Sequence, residues 1–258
     1  MDYKNIYKQI GFKQEIERLK KQAYLGNEKE LRMLKLLGFE DRGSVLEIGS
    51  GPGFYTSILL DNFKEIKITA LDYDMEFLKY ANENMNNKHR NRVTYVKDDV
   101  NRLSLPDNRY DFVIARFVFQ HLENPLKAIN EIYRVLKPGG KVFIIDVDSD
   151  LWGTTFPKNR TINEINNIIS KLQGNLKGNR EIGSVLTTIL KRSRFKNLDI
   201  EAVINHSDIL GKENFRANIN SNIVADKKIK DLLNNYNDFF DSNNSSIMML
   251  KLFISGEK

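Results

Sequence analysis

An α/β fold with a mostly parallel sheet and helices on both faces is predicted by three observations. Short apolar runs recur at Val45–Ile48, Ile66–Leu71, Val93–Val96, Phe112–Ala115 and Lys141–Val147 and read as strands. Helical patterns fall between them, at Phe54–Phe63, Met75–Met85 and Pro125–Leu136, with a turn near Phe117–Leu122. Polar features collect where the strands end, which is where open parallel sheets bind ligands.

Composition narrows the function classes. The chain has 258 residues, enough for one large domain or a domain with a cap. Hydrophobic residues make up 41% and charged residues 29%, as in an ordinary soluble domain. There is no cysteine, which excludes disulfides, thiolate nucleophiles, Cys-ligated zinc and iron–sulfur clusters. No apolar run approaches the roughly 20 residues of a membrane helix. The first residues, M-D-Y-K-N-I-Y-K, lack the apolar core of a signal peptide, so a cytoplasmic location is expected. Net charge is +6, which admits anionic partners. No dense run of Lys and Arg marks one segment, so genomic bias toward Lys, Asn and Ile is the better account.

Residues Lys13 to Leu37 read as two helices broken near Gly26-Asn27 and ended by Gly38. Arg18 and Gln22, four apart, share a helix face and either reach over a neighbouring site or are solvated. The first strand then runs through Gly49, Gly51 and Gly53 into a helix. Missing β-carbons let a ligand press on the backbone, and the helix start turns free N–H groups toward it. Glu47 sits just ahead, so this ligand offers donors or positive charge as well as acceptors.

Asp72 ends the second strand, nineteen residues after Gly53, a position that suits a ribose diol. Tyr73 follows and could lie against an adenine face. The third strand runs into Asp98-Asp99-Val100, where a carboxylate can accept from an adenine amino group while the backbone N–H donates to a ring nitrogen. The spacing to Leu103 favours Asp99 over Asp98. Any one acid reads best as a solvated turn residue; three at successive strand ends, after a glycine loop, do not. The spacing G-x-G-x-G differs from that of dinucleotide binders, and an acid at Glu47 suits a pyrophosphate poorly. A ligand with an adenosine half and an amino-acid half fits better.

Beyond the core, Asp150 to Asn179 is less regular, with a helix over Ile162–Leu172. Ile182–Arg194 reads as a helix, Leu198–Ile204 and Ile247–Ile254 as two further strands, and Lys212–Phe240 as two helices.

The run V-L-E-I-G-S-G-P-G, A-L-D-Y-D, Y-V-K-D-D-V, Y-D-F-V-I-A-R-F-V-F-Q-H-L and R-V-L-K-P-G-G-K-V-F-I-I-D resembles the class I S-adenosylmethionine-dependent methyltransferases, over about residues 40 to 148. E-I-E-R-L-K-K-Q-A resembles the cap helix of their small-molecule branch. I-G-S-V-L-T-T-I-L-K-R-S-R-F resembles a later helix of that branch, with Ser193-Arg194 where the pattern has a small residue and Gly. The resemblance implies a Rossmann-like seven-stranded sheet with the last strand antiparallel. It implies a single domain over residues 1–258, with an N-terminal helical cap (1–40), a cofactor-binding core (41–148) and acceptor-side helices with the last two strands (149–258). A helical insertion would precede the last strand.

The cofactor it implies is S-adenosylmethionine, leaving as S-adenosylhomocysteine. Gly49, Ser50, Gly51 and Gly53 would hold the methionine half, Asp72 and Tyr73 the ribose and adenine, and Asp99 with Val100 the adenine. Glu47 would order the loop and meet the amino group, and Gln22 on the cap would reach the same ligand. Arg116 ends the fourth strand; repelled by a sulfonium, it is expected to turn to a carboxylate, either the cofactor's or that of Glu47.

Methyl transfer from a sulfonium needs positioning above all, so no dedicated base is required. His121 is the candidate base, weighed against a packing or capping role that is favoured; His206 stands similarly. Tyr24, Trp152 and Phe156 read as packing residues before pocket residues. No N-P-P-Y or D-P-P-Y stretch appears, and cysteine is absent, which argues against adenine-amino and pyrimidine-C5 methylation. By elimination and resemblance the acceptor is a small molecule, with O, N and C atoms open. An RNA methyltransferase and an inactive cofactor-binding partner protein are the alternatives, separable by salt-dependent RNA binding and by turnover.

Overall fold

The computed structural model of the chain describes residues 11–216 and 226–258. Five parallel strands form its centre: β1 (Gly43–Ile48), β2 (Ile66–Asp72), β3 (Val93–Lys97), β4 (Tyr110–Arg116) and β5 (Leu136–Asp146), in the order β3-β2-β1-β4-β5. The order reverses between β1 and β4. Connections from these two strands leave in opposite directions, and a crevice opens beyond their carboxyl ends. β1 shows why both faces are covered: Leu46 and Ile48 join one apolar cluster, Val45 the other.

Among the described residues the expectation of seven strands is corrected to eight. β7 (Lys196–His206) and β8 (Ser246–Glu257) appear as predicted, β8 antiparallel to β5. The addition is β6 (Trp152–Phe156), in the stretch that reads as irregular. The twelve residues of β8 explain it: Leu252–Glu257 pair with β5, leaving Ser246–Met249 to pair with β6 on the same side.

The helices follow from their caps and stripes. α1 (Phe12–Tyr24) and α2 (Asn27–Leu36) meet at Gly26, whose φ of 72° and closeness to Asn205 both require glycine. α3 (Phe54–Asn62) buries Tyr55, Thr56, Ile58, Leu59 and Leu60, so it lies inside the molecule with α1 over it. α4 (Met75–Asn84) starts at Asp74, whose carboxylate accepts from Glu76 N at 2.8 Å. α5 (Pro125–Val135) has Asn124 as N-cap and proline in its first turn, and its buried stripe is Ala128, Ile129, Ile132 and Val135.

α6 (Arg160–Asn175) and α7 (Ile182–Arg192) follow. α7 ends at Arg192, two residues short of the expected Arg194, with Ser193 as C-cap and Arg194 at a φ of 69° in glycine's place. The Arg194 guanidinium sits 4.7 Å from the centre of the Tyr133 ring, a contact that helps hold this backbone. α8 (Ser207–Leu210) precedes the two helices expected over Lys212–Phe240; within that stretch the described residues hold a 3₁₀ turn at Lys212–Asn214 and α9 (Lys227–Phe239), and residues 217–225 lie outside the described residues. Among the described residues no helix is long and apolar enough to cross a membrane, and no His, Asp and Glu cluster could hold a metal.

Candidate functional site

The crevice is floored by the loop after β1. Three hydrogen bonds from its backbone N–H groups shape it: Ser50 N to Leu71 O at 3.0 Å, Gly53 N to Ser50 O at 3.0 Å, and Gly51 N to the Asp72 side-chain carboxylate at 2.8 Å. Its glycines have different reasons to be glycine. A β-carbon on Gly49 would come within 2.4 Å of Val118 Cγ2, and one on Gly53 within 2.9 Å of Ala81 Cβ. One on Gly51, where φ is 52°, would meet nothing within 4 Å. Packing explains the outer two, whereas Gly51 faces open space. Beside it the Ser50 hydroxyl is buried with no hydrogen-bond partner among the described residues. A buried hydroxyl left without a partner is uncommon in a folded protein, and this one lies next to the open cradle.

Glu47 is buried under this loop, and its carboxylate accepts from the Thr56 hydroxyl at 2.6 Å. Burial pushes its pKa up to about 7, against the Thr56 hydrogen bond and the charge of Arg116. Asp72, at the end of β2, accepts from Asp74 N and from Gly51 N, both at 2.8 Å. Burial raises it to about 6 against those bonds. Asp72 is therefore the fastener of the glycine loop, a role beyond the ribose contact that sequence suggests. The Tyr73 backbone adds a third bond, and a carboxylate offers about four acceptor sites, so capacity for a ligand remains. Tyr73 stands next to it, 60% exposed, on the open side.

The choice between the two acids after β3 has a structural counterpart. Both oxygens of Asp98 are used inside the loop, by Asp99 N, Ser104 N and Ser104 Oγ. Asp99 is exposed and uses only Oδ1, for Asn101 N and Nδ2 at 2.9 Å. Its Oδ2 accepts no hydrogen bond among the described residues. Val100 is buried in the core beside Leu103, which fixes the backbone there.

Arg116 corrects an expectation. It turns to a carboxylate, but that carboxylate is Glu30 of α2 and not Glu47. The pair has two contacts, Nε–Oε2 at 2.8 Å and an η-nitrogen to Oε1 at 3.0 Å, and a further hydrogen bond reaches Gln22 O at 2.7 Å. The guanidinium lies between the Tyr55 and Phe117 rings, 4.8 and 4.5 Å from their centres. Gln22 therefore enters through its backbone carbonyl. Its side chain accepts from Arg18 at 3.0 Å, and Arg18 is also paired with Glu15. The bonds of Arg18 and Gln22 thus run along α1 rather than to the glycine loop, with the Arg18 side chain 36% exposed.

A second polar group lies past β4 and β5. His121 ends the 3₁₀ turn Phe119–His121, and its Nδ1 is 3.4 Å from Gln173 Nε2 of α6. Burial lowers its pKa to about 4, with Arg180 and Arg18 adding repulsion, so the imidazole is neutral at physiological pH. Asp146, at the end of β5, was not singled out by sequence. It is fully buried and accepts from Gln120 N at 3.2 Å and from Val147 N at 2.9 Å, so it holds the turn that carries His121. Burial raises it to about 7. A carboxylate ending an apolar strand, as F-I-I-D does, is the signal that could have found it. His206 has a local task, accepting from Asp208 N at 3.2 Å to cap α8. Tyr24 and Phe156 are exposed and serve no core.

Residues 46–144 match the family model described as "Methyltransferase domain". Over 120 residues the chain is 32% identical to phosphoethanolamine N-methyltransferase 2 of Caenorhabditis elegans, covering 46% of this chain and 27% of that protein. Over 111 residues it is 34% identical to a malonyl-[acyl-carrier protein] O-methyltransferase of Marinomonas, covering 43% of this chain and 40% of that protein. The chain thus spans less than half the length of the curated relatives it matches. Among solved structures, a protein of Bacillus halodurans described as a methyltransferase superposes with a TM-score of 0.60 at 19% identity, over 88% of this chain and 97% of that one. The phosphoethanolamine N-methyltransferase 2 of Haemonchus contortus, solved with phosphomonomethylethanolamine and S-adenosylhomocysteine, superposes with a TM-score of 0.57 at 22% identity, over 90% of this chain and 52% of that one. At these identities the structures establish the fold.

Proposed function

We propose that this chain, which belongs to the class I S-adenosylmethionine-dependent methyltransferases, moves a methyl group from that cofactor to a small-molecule acceptor. The observation that carries the reading is the cradle at Gly51. A β-carbon there would enter open space, the Ser50 hydroxyl beside it is buried and unpartnered, and Asp72 ties the loop to β2. Ser50 and the Gly51 backbone would hold the amino-acid half, with Glu47 beneath it. Asp72 would accept from the ribose hydroxyls, and Asp99 with Val100 would meet the adenine. When bound, the cofactor supplies a methyl group already activated on a sulfonium. The protein's own share is to align the acceptor and exclude water, which in favourable cases supplies roughly 7–11 kcal/mol.

The acceptor reading rests on the curated relatives, whose names carry phosphoethanolamine, malonyl-[acyl-carrier protein] and demethylmenaquinone. We read the polar group at His121, Gln173 and Asp146 as the acceptor side. A neutral His121 with a pKa near 4 is a poor base and a good hydrogen-bond partner. His121→Ala is therefore expected to leave S-adenosylhomocysteine affinity unchanged and to lower kcat about tenfold or less. A kcat loss of about 10²–10⁴ with unchanged affinity is the mark of general-base catalysis and would reverse this assignment.

The direct test is calorimetric titration with S-adenosylmethionine, S-adenosylhomocysteine and NADH, followed by acceptor screening with labelled methyl donor. Micromolar binding of the first two and none of NADH is expected. Binding of neither adenosyl compound would overturn the proposal.

A further inference from the structure

We propose that Glu30 is the buried anion of a latch that holds the N-terminal cap closed over the strand ends. The Glu30 side chain is fully buried, while those of Arg116 and Lys251 are only 8% and 6% exposed. Both cations pair with this one carboxylate. Burial works to raise its pKa, and the two cations together override that and hold it below the ordinary value.

The same two cations also grip the end of α1. Arg116 donates to Gln22 O at 2.7 Å and Lys251 to Leu25 O at 2.6 Å. Carbonyls at a helix C-terminus have no partners of their own and carry the negative end of the helix dipole, so cations suit them. Arg116 ends β4 and Lys251 lies in β8, so the hinge between α1 and α2 is tied to two strands at once. At its other end α1 is held by apolar contacts: Phe12 stacks on Phe77 of α4 at 5.5 Å, and Ile16 is buried against the same ring. The cap thus bridges from α4, which follows Asp72, to the end of β4. Removing the Glu30 charge leaves the buried Arg116 guanidinium without its anion and pushes the Lys251 ammonium, already held down to about 8 by burial, toward its neutral form, which loosens both ties to the hinge. Tyr55, whose ring lies against Arg116, and Glu47, whose carboxyl Arg116 draws down, carry the effect to the glycine-loop side.

The part of this proposal that concerns ligand retention rests on the methyl-transfer reading; the cap position does not. The experiment is amide hydrogen exchange by mass spectrometry on the full chain without ligand. In Glu30→Gln, residues 12–25 are expected to exchange at least tenfold faster, while β1 and β5 keep their rates. Glu30→Asp, which keeps the anion, returns the cap to within threefold of the parent. S-adenosylhomocysteine leaves Glu30→Gln at least tenfold faster in stopped flow. Unchanged exchange of residues 12–25, or acceleration shared equally by β1 and β5, overturns the latch. Should Glu30→Gln fail to fold, Lys251→Met, which leaves the Glu30–Arg116 pair intact, is expected to exchange at least threefold faster around Leu25, and no change there overturns it. A parent protein that binds no adenosyl compound refutes the methyl-transfer reading and leaves the exchange result standing.

Discussion

Gly51→Val is expected to abolish S-adenosylhomocysteine binding in a protein that stays folded. Two effects separate here. The backbone φ of 52° is unfavourable for any residue with a β-carbon, at a cost of about 1–2 kcal/mol. For a chain of this length that lowers Tm by several degrees, roughly 2–4 °C for each kcal/mol. The added β-carbon itself meets no protein atom within 4 Å. Its bulk falls on whatever the cradle holds, so affinity drops by roughly 100-fold or more, about 2.7 kcal/mol or beyond. Gly53→Val is the contrast. Its β-carbon would sit 2.9 Å from Ala81 Cβ, between α3 and α4, so it is expected to unfold the protein before it reports on binding. Calorimetry and a thermal melt on both variants decide the matter. A folded Gly51→Val protein that binds within threefold of the parent would mean the loop is only a turn.

What could be read in the sequence was local, and what could not was held by distant partners. The glycine loop, the β1–β5 alternation and the break at Gly26 depend on residues within one or two elements, so spacing alone reveals them. β6 depends on Ser246–Met249, some ninety residues further on, and W-G-T-T-F carries neither clean alternation nor a long apolar run. Arg116 shows the same limit at the site. Sequence reasoning expected an arginine ending β4 to turn to a carboxylate, either the cofactor's or that of Glu47. The partner is Glu30, eighty-six positions away in a helix rich in Glu and Lys that looks solvated. A signal was present nonetheless. Glu30 sits at i, with Leu34 at i+4 and Leu37 at i+7, on the buried stripe of the cap. Lys251 alternates with Ile247, Met249 and Phe253, all inward. A charge at an inward position of two separate elements, of opposite sign, predicts a buried pair. Asp72 was legible as a site residue, but its second task was not, because the bond to Gly51 N appears only once the loop is folded back on β2.

Asp72→Asn is expected to raise the S-adenosylhomocysteine dissociation constant about 10- to 150-fold, because hydrogen bonds to a charged group contribute about 1.5–3 kcal/mol. The variant keeps one acceptor oxygen, so either the Gly51 tie or the Asp74 tie survives and the fold is retained. The pH dependence gives a sharper test. Asp72 and Glu47 both have folded pKa values above the ordinary carboxylate range, about 6 and about 7, because burial penalises their charge. The folded protein therefore binds these protons more tightly than the unfolded chain does. Their ionisation burdens the fold above pH 7, and that burden is lifted as pH falls through 7 and 6 toward 4. Ligand binding has the opposite sign, since ribose hydroxyls and an ammonium need ionised acceptors. From pH 7.5 to pH 5 affinity is expected to fall, first with Glu47 and then with Asp72, by about tenfold for a group one unit below its pKa. Over the same range these two groups make the protein more stable, so loss of affinity cannot be loss of fold. In Asp72→Asn the fall centred near pH 6 disappears and the one near pH 7 remains. Calorimetry at four pH values reads both, and a parent affinity that is flat from pH 5 to 7.5 would remove Asp72 and Glu47 from the binding site together.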